Sequence, residues 1–104
     1  MKRIKINIPN VGENLTAWQS DNHPDFALRS HGRGGWSVTH KPTGHSASGL
    51  RVLATRKAAE AWVAKLTGTE ALWAIWDRVR PLSSFDNPYP FTAEEIALLR
   101  ETLR

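Results

Sequence analysis

The residues best suited to chemistry lie between Arg29 and Ser46, in the sequence RSHGRGGWSVTHKPTGHS. Three of the four histidines fall in this stretch, His31, His40 and His45, and three imidazoles could in principle bind zinc. No carboxylate lies near them in sequence to complete or orient such a set, and their spacing matches no established zinc pattern. We therefore expect no metal site and expect these histidines to be solvated turn residues.

Nucleophilic catalysis has little support in the same stretch. Serines and threonines lie near the histidines, but no Gly-x-Ser-x-Gly elbow is present and the chain has no cysteine. The adjacent carboxylates Glu94 and Glu95 follow Thr92 at a spacing that helix capping explains. The glycine-rich turn around Arg33 lacks both the Walker lysine arrangement and the dinucleotide fingerprint. We expect a protein that is not an enzyme, with no catalytic residue and no cofactor.

Positive charge is concentrated in the N-terminal part of the chain. The whole chain has 14 Lys and Arg against 10 Asp and Glu, a net charge of +4. Residues 1–57 hold nine of the cations and three of the acids, whereas residues 58–104 hold five cations and seven acids. No acid occurs between Phe26 and Ala59. Such asymmetry favours an anionic partner and carries no information on the fold.

Two binding functions fit this charge distribution. The first is a small nucleic-acid-binding domain that uses cations on a sheet face and in turns to contact phosphates, with an aromatic contribution from tryptophan. The alternative is a protein-interaction module, for example an accessory or inhibitor protein of a phage or plasmid, docking on an acidic or nucleic-acid-binding partner. In either case the candidate binding residues are Arg29, Arg33, Trp36, Lys41, Arg51, Arg56 and Lys57.

The length and composition favour one small domain in the cytoplasm. The 104 residues, 40% hydrophobic and 23% charged, suit a single domain spanning 1–104 with one modest core. No apolar run approaches the roughly 18 residues of a membrane helix, and the cationic start is not followed by a secretory apolar stretch. We expect a cytoplasmic protein without membrane contact.

Hydrophobic periodicity predicts strands in the first half of the chain. Residues 2–8 alternate strictly, with Ile4, Ile6 and Ile8 on one side and cations on the other. Further strands are predicted at Asp25–Ser30 and Trp36–His40, with a return over 45–53 that is strongest at Leu50–Leu53. A Pro-Thr-Gly turn at 42–44 joins the last two strands as an antiparallel hairpin. Residues 11–24 read as a loop or a short helical turn, because Asn, Asp, Gly and Pro interrupt them.

The second half of the chain predicts helices. Apolar residues recur at helical spacing over Thr55–Leu66, Thr69–Arg80 and Thr92–Leu103. Thr55 is a candidate N-cap, Thr67 with Glu70 and Thr92 with Glu95 have capping-box spacing, and Gly68 suits a left-handed helix end. The expected fold is α+β, with an antiparallel sheet of three to four strands packed on three helices. The sheet face away from the helices is expected to carry four cations, Arg3, Lys5, Arg29 and Arg51.

Overall fold

The computed structural model describes residues 2–8, 11–48, 53–82 and 91–102, and it confirms the predicted α+β architecture. One sheet contains β1 (Arg3–Ile8), β2 (Gly12–Gln19), β3 (Phe26–Ser30), β4 (Trp36–His40) and β5 (His45–Ser46). The helices are α1 (Arg56–Gly68), α2 (Glu70–Val79) and α3 (Ala93–Thr102). The sheet has one strand more than the sequence predicted, because β2 was not recognised.

The sheet is antiparallel, and each strand pairs with the next one in sequence. The predicted hairpin is confirmed: His40 is opposite His45, and the N–H of Gly44 donates to the carbonyl of His40 at 2.8 Å. Gly44 closes this turn at a φ of 75°, which favours glycine. Beyond β5 the chain continues beside β4, since the N–H of Ala47 donates to the carbonyl of Val38 at 2.8 Å. The predicted return strand extends into residues 49–52, which lie outside the described residues.

Strand β2 was expected to be a loop or a helical turn, and that prediction is wrong. Leu15, opposite Ile6, and Trp18, opposite Arg3, belong to a strand eight residues long. Its irregularity lies at Asn14, whose φ of 53° interrupts the extended backbone. Asparagine tolerates this left-handed conformation, and the side-chain oxygen of Asn7 accepts a hydrogen bond from its N–H at 2.9 Å. Pairing with the preceding strand β1 therefore stabilises a strand that its own residues do not predict.

The helix boundaries follow the predicted ones closely, while their caps agree only in part. The N–H of Ala58 donates to Oγ1 of Thr55 at 3.0 Å, so the predicted cap of α1 is confirmed. The capping box of α3 is confirmed as well, because Thr92 and Glu95 exchange hydrogen bonds of 2.8 and 3.2 Å. The capping box at Thr67 is wrong: Thr67 lies inside α1, which continues through Gly68 without a left-handed residue. The cap position of α2 is Thr69, whose side chain makes no capping hydrogen bond.

The two sides of the sheet carry separate apolar clusters. Phe26 and Leu28 of β3 and Val38 of β4 face the helices and join the main core around Trp62 and Trp76. The apolar stripes predicted for α1 and α2 are buried: Ala59, Trp62, Val63, Leu66, Leu72, Ile75, Trp76 and Val79. A smaller cluster of Ile6, Ala17 and Ala27 lies on the opposite side, since Ala27 neighbours Leu28 along the strand.

The register corrects the expected distribution of cations over the sheet. Arg3 is opposite Trp18, and Trp18 is opposite Leu28, so Arg3 lies on the same side of the sheet as the helices. Lys5, two residues further along β1, shares that side. Arg29 follows Leu28 directly and therefore lies on the other side. Alternation fixes which residues share a face, but it does not determine which face the helices cover. The fourth cation, Arg51, lies outside the described residues.

Candidate nucleic-acid interface

Arg33 lies in the connection between β3 and β4, which is a hydrogen-bonded turn. Residues Gly32–Gly34 form one turn of 3-10 helix, and the N–H of His31 donates to the carbonyl of Gly35 at 2.7 Å. Gly32 adopts a φ of 61°, which explains the glycine at this position. A 2.8 Å hydrogen bond between Nε2 of His31 and Oγ of Ser37 connects the turn to β4. Arg33 is exposed on this turn.

Trp36 begins β4 beside the same turn and is half-buried. It lies on the side of Val38 and packs against the main core, while part of its side chain remains exposed. Arg29 is opposite Ser37, one residue further along β4, and is half-buried on the other side of the sheet. Arg29 and Trp36 are therefore neighbours along the end of the sheet that carries Arg33.

The start of α1 adds two exposed cations, Arg56 and Lys57. The first turn of this helix contains no acid, although the helix dipole favours negative charge there. Thr55 satisfies the N–H of Ala58 and, through its carbonyl, that of Ala59. In the described part of the chain the N–H groups of Arg56 and Lys57 have no hydrogen-bond acceptor. The arrangement offers two positive side chains and two free donors in one place.

A backbone bridge positions this helix start next to Trp36. The N–H of Trp36 donates to the carbonyl of Leu53 at 2.7 Å, and Leu53 donates in return at 3.1 Å. Arg56 follows Leu53 by three residues, so the first turn of α1 lies close to Trp36. We call the group of Arg29, Arg33, Trp36, Arg56 and Lys57 the basic end.

The cations of the basic end lack the carboxylate partners that the cations at the end of α2 have. Within the described residues none of Arg29, Arg33, Arg56 and Lys57 forms an ion pair with a carboxylate. By contrast, Arg78 pairs with Glu95, and Nε of Arg80 lies 3.2 Å from the buried carboxylate of Asp25. Arg78 in α2 and Arg80 directly after it are therefore compensated internally, and the cations of the basic end are available to an anion.

Two of the candidate binding residues are not part of this group. Lys41 lies at the far end of β4, roughly 16 Å along the strand from Trp36. Its ammonium donates to Oε1 of Gln19 at 2.5 Å, and burial lowers the pKa of Lys41, partly offset by the nearby carboxylate of Asp25. Arg51 lies outside the described residues.

His40 is not a solvated turn residue, which corrects the expectation from its sequence neighbourhood. Its side chain is fully buried between the rings of Phe26 and Trp76, at centroid distances of 5.3 and 4.9 Å. Burial, together with the positive charge of Arg80, lowers the pKa of His40 to about 3. Nδ1 of His40 forms a 2.9 Å hydrogen bond with Oγ1 of Thr43. The imidazole is neutral near pH 7, and its contacts are those of a core residue.

Neither a metal-binding cluster nor a membrane-spanning helix is present in residues 2–8, 11–48, 53–82 and 91–102. In these ranges no group of three His, Cys, Asp or Glu side chains is arranged to hold a metal ion. None of α1, α2 and α3 combines the length and apolar character that a membrane crossing requires.

Sequence reasoning missed the mismatch between charge and dipole at α1. The signal was present, because Thr55 was recognised as the cap and Arg56 and Lys57 follow it directly. Sequence reasoning also missed that Arg3 and Lys5 lie on an edge strand, because β2, the neighbour of β1, was not recognised as a strand.

Comparison of the chain with protein-family models, with curated proteins and with solved structures gives no significant match. The function is therefore argued from the site alone.

Proposed function

We propose that this protein is a small, basic, non-enzymatic binding protein that contacts nucleic acid through the basic end. The observation that carries the proposal is the first turn of α1, where Arg56 and Lys57 occupy the positive end of the helix dipole. This placement disfavours the isolated helix and favours a bound anion. A phosphate there would meet two cationic side chains and two free N–H donors, the combination that helix N-termini use to bind phosphate.

The neighbouring residues would extend the contact from a single phosphate to several nucleotides of a nucleic-acid strand. Arg33, exposed on its turn, and Arg29 supply further charges on the same end of the molecule, and neither is neutralised by a carboxylate in the described residues. The exposed part of Trp36 offers a surface on which a base can stack, while the buried part anchors the ring in the core. Lys41 and Arg51 then contribute through the general positive field of the N-terminal half.

The proposed site of action is the cytoplasm, where nucleic acid is accessible. A chain without cysteine is compatible with its reducing conditions.

The proposal is tested by measuring the salt dependence of binding to single- and double-stranded DNA and RNA by fluorescence anisotropy. Each phosphate contact releases roughly one counterion, so the affinity should fall steeply as salt rises. Arg33→Gln and Arg56→Gln should each reduce the slope of log affinity against log salt by about one. Arg100→Gln makes the same charge change on an exposed residue of α3 and should leave the slope nearly unchanged.

The variant Trp36→Ala distinguishes the contribution of base stacking to the affinity from the contribution of charge. Loss of a stacked base lowers the affinity by about 1–3 kcal/mol and leaves the salt slope unchanged, because no counterion is involved. Equal slopes in Arg33→Gln, Arg56→Gln and Arg100→Gln would contradict the assignment of the basic end. Absence of binding to all four nucleic acids at low salt would contradict the nucleic-acid function itself and favour the alternative, an acidic protein partner of an interaction module.

A further inference from the structure

The side of the sheet away from the helices carries an apolar surface on β1 and β2. Ile6, Ala17 and Ala27 are buried there, and Ile4, Ile8 and Leu15 surround them half-buried. We call the row Ile4, Ile6, Ile8 and Leu15 the isoleucine face. The helix that packs on the sheet, α1, contacts β3 and β4 from the other side. In the described part of the chain no helix covers the isoleucine face. The centre of this face is buried, and the half-buried side chains of Ile4 and Ile8 leave apolar surface along the edge strand β1.

Strand β1 is also an edge of the sheet, with β2 as its neighbour on one side. The N–H of Gln19 donates to the carbonyl of Lys2 at 2.7 Å, which makes this opposed pair a hydrogen-bonded one. Hydrogen-bonded and non-bonded pairs alternate in an antiparallel ladder, so Ile4 bonds inward to β2 and the main-chain groups of Arg3 and Lys5 point outward. Within the described residues these outward groups have no partner strand. They are a template for strand addition.

The side chains of Arg3 and Lys5 give this edge a positive charge on its second face. The ammonium of Lys5 donates to Oγ1 of Thr16 at 2.8 Å, and the guanidinium of Arg3 lies 5.9 Å from the ring centre of Trp18. Neither cation pairs with a carboxylate in the described part of the chain. A second copy of β1 would bring two more cations to the same face, whereas an acidic strand would neutralise the two already there.

From this pattern we propose that β1 binds an extended protein segment in which acidic and apolar residues alternate. The segment adds to the sheet as a further strand, bonded to the main-chain groups of Arg3 and Lys5. Its apolar side chains extend the isoleucine face, and its carboxylates lie beside Arg3 and Lys5. This surface shares no residue with the basic end, so the proposal stands independently of nucleic-acid binding.

The test uses a six-residue peptide that alternates glutamate and valine, equal in length to β1. It is titrated into the full chain, and amide hydrogen exchange is followed by NMR. We expect saturable binding with a dissociation constant of about 1 mM or tighter, and exchange of the Arg3 and Lys5 amides slowed about tenfold. A peptide with three glutamates followed by three valines has the same charge and composition but cannot match both faces, so it should bind about tenfold more weakly.

Two variants of one residue separate strand addition from simple charge attraction. Lys5→Pro removes the outward N–H without breaking a bond to β2, since proline is tolerated at this position of an edge strand. Lys5→Thr removes the same charge but keeps the N–H. We expect Lys5→Pro to bind the alternating peptide about tenfold more weakly than Lys5→Thr does. Arg100→Gln, on α3, should bind like the wild type.

Three outcomes would overturn the proposal. Equal affinity for the alternating and the blocked peptide would show non-specific ionic attraction, and absence of binding up to about 5 mM would exclude strand addition by this class of segment. Protection of the Arg3 and Lys5 amides that increases with protein concentration, without peptide, would assign the edge to a second copy of the chain.

Discussion

Among single residues, His40 shows that strand alternation predicts the face on which a residue lies, whereas polar neighbours in the sequence conceal its burial. The sequence places Trp36, Val38 and His40 on one face of a strand, and the structure confirms that shared face, with Val38 and His40 fully buried. The prediction failed on burial because His40 adjoins a Pro-Thr-Gly turn and was treated as part of it. Aromatic side chains from distant elements, Phe26 and Trp76, complete its environment, and no local pattern reveals them.

Truncation of His40 should therefore destabilise the protein. His40→Ala removes a fully buried ring and its hydrogen bond to Thr43, with an expected cost of about 2–4 kcal/mol in the free energy of unfolding. His31→Ala, on the exposed turn, should cost no more than about 0.5 kcal/mol. Urea denaturation of both variants measures the difference, and equal costs would contradict the burial of His40.

The lowered pKa of His40 predicts a specific pH dependence of stability. Its folded pKa of about 3 lies below the ordinary value of 6.5, so the unfolded chain takes up the proton first. The stability contributed by neutral His40 is complete above about pH 6.5 and is lost as the pH falls towards 3, at roughly 1.4 kcal/mol per pH unit. Wild type should lose about 2 kcal/mol more than His40→Gln between pH 6.5 and 5 in urea titrations. His45, whose pKa burial also lowers, is present in both proteins, so its own desolvation contributes to both.

At the scale of elements, the helices were predictable because their signals are local. Apolar spacing within α1 and α2 identifies the buried stripes, and Thr55 and Thr92 mark two helix starts. Strand β2 was not predictable in the same way, because Asn14 interrupts its alternation and its pairing with β1 and β3 is not visible in its own residues. The prediction that α1 ends before Gly68 was wrong, because glycine is compatible with a helix end but does not require one, and α1 continues through it.

The two threonine caps provide a matched test of this local control. Oγ1 of Thr55 accepts a hydrogen bond from the N–H of Ala58, whereas the side chain of Thr69 makes no such bond at the start of α2. Thr55→Ala should lower the free energy of unfolding by about 1 kcal/mol and Thr69→Ala by clearly less. Both threonines are exposed, so packing contributes little to the comparison. A cost for Thr69→Ala equal to that for Thr55→Ala would show that the hydrogen bond is not the cause.

At the scale of the whole molecule, the order of strands and helices gave the α+β architecture, and the charge asymmetry gave the basic N-terminal half. The sequence did not reveal which sheet face the helices cover. Ile6 and Leu28 are equally suitable for a core, yet Leu28 faces the helices and Ile6 faces away from them. Packing also places the start of α1, with Arg56, close to Trp36 at the basic end, whereas Lys41 follows the opposite end of β4, as the predicted strand 36–40 already implies. Assembly of a site from distant segments is decided by packing, which a one-dimensional pattern does not contain.

The positive charge at the start of α1 should affect both the stability of the fold and the binding of nucleic acid. Arg56→Glu replaces an unfavourable charge at the positive end of the helix dipole, so the free energy of unfolding should rise by about 0.5 kcal/mol. Lys65→Glu makes the same change in net charge at the opposite end of α1 and removes a cation that lies 5.2 Å from the ring centre of Trp62. Its free energy of unfolding should fall by a similar amount.

The nucleic-acid affinities of the two variants should rank in the opposite order to their stabilities. Arg56→Glu should weaken nucleic-acid binding strongly, because it places a carboxylate where the phosphate is proposed to lie. Lys65→Glu, about two and a half helical turns away, should weaken it only through net charge. Urea denaturation and anisotropy on the two variants measure both quantities. If Arg56→Glu were the less stable protein, the dipole argument would be wrong, and if both variants bound equally, the cations at the start of α1 would have no role in binding. If Arg56→Glu is more stable and binds less, this helix start is kept basic for its partner at the expense of the fold.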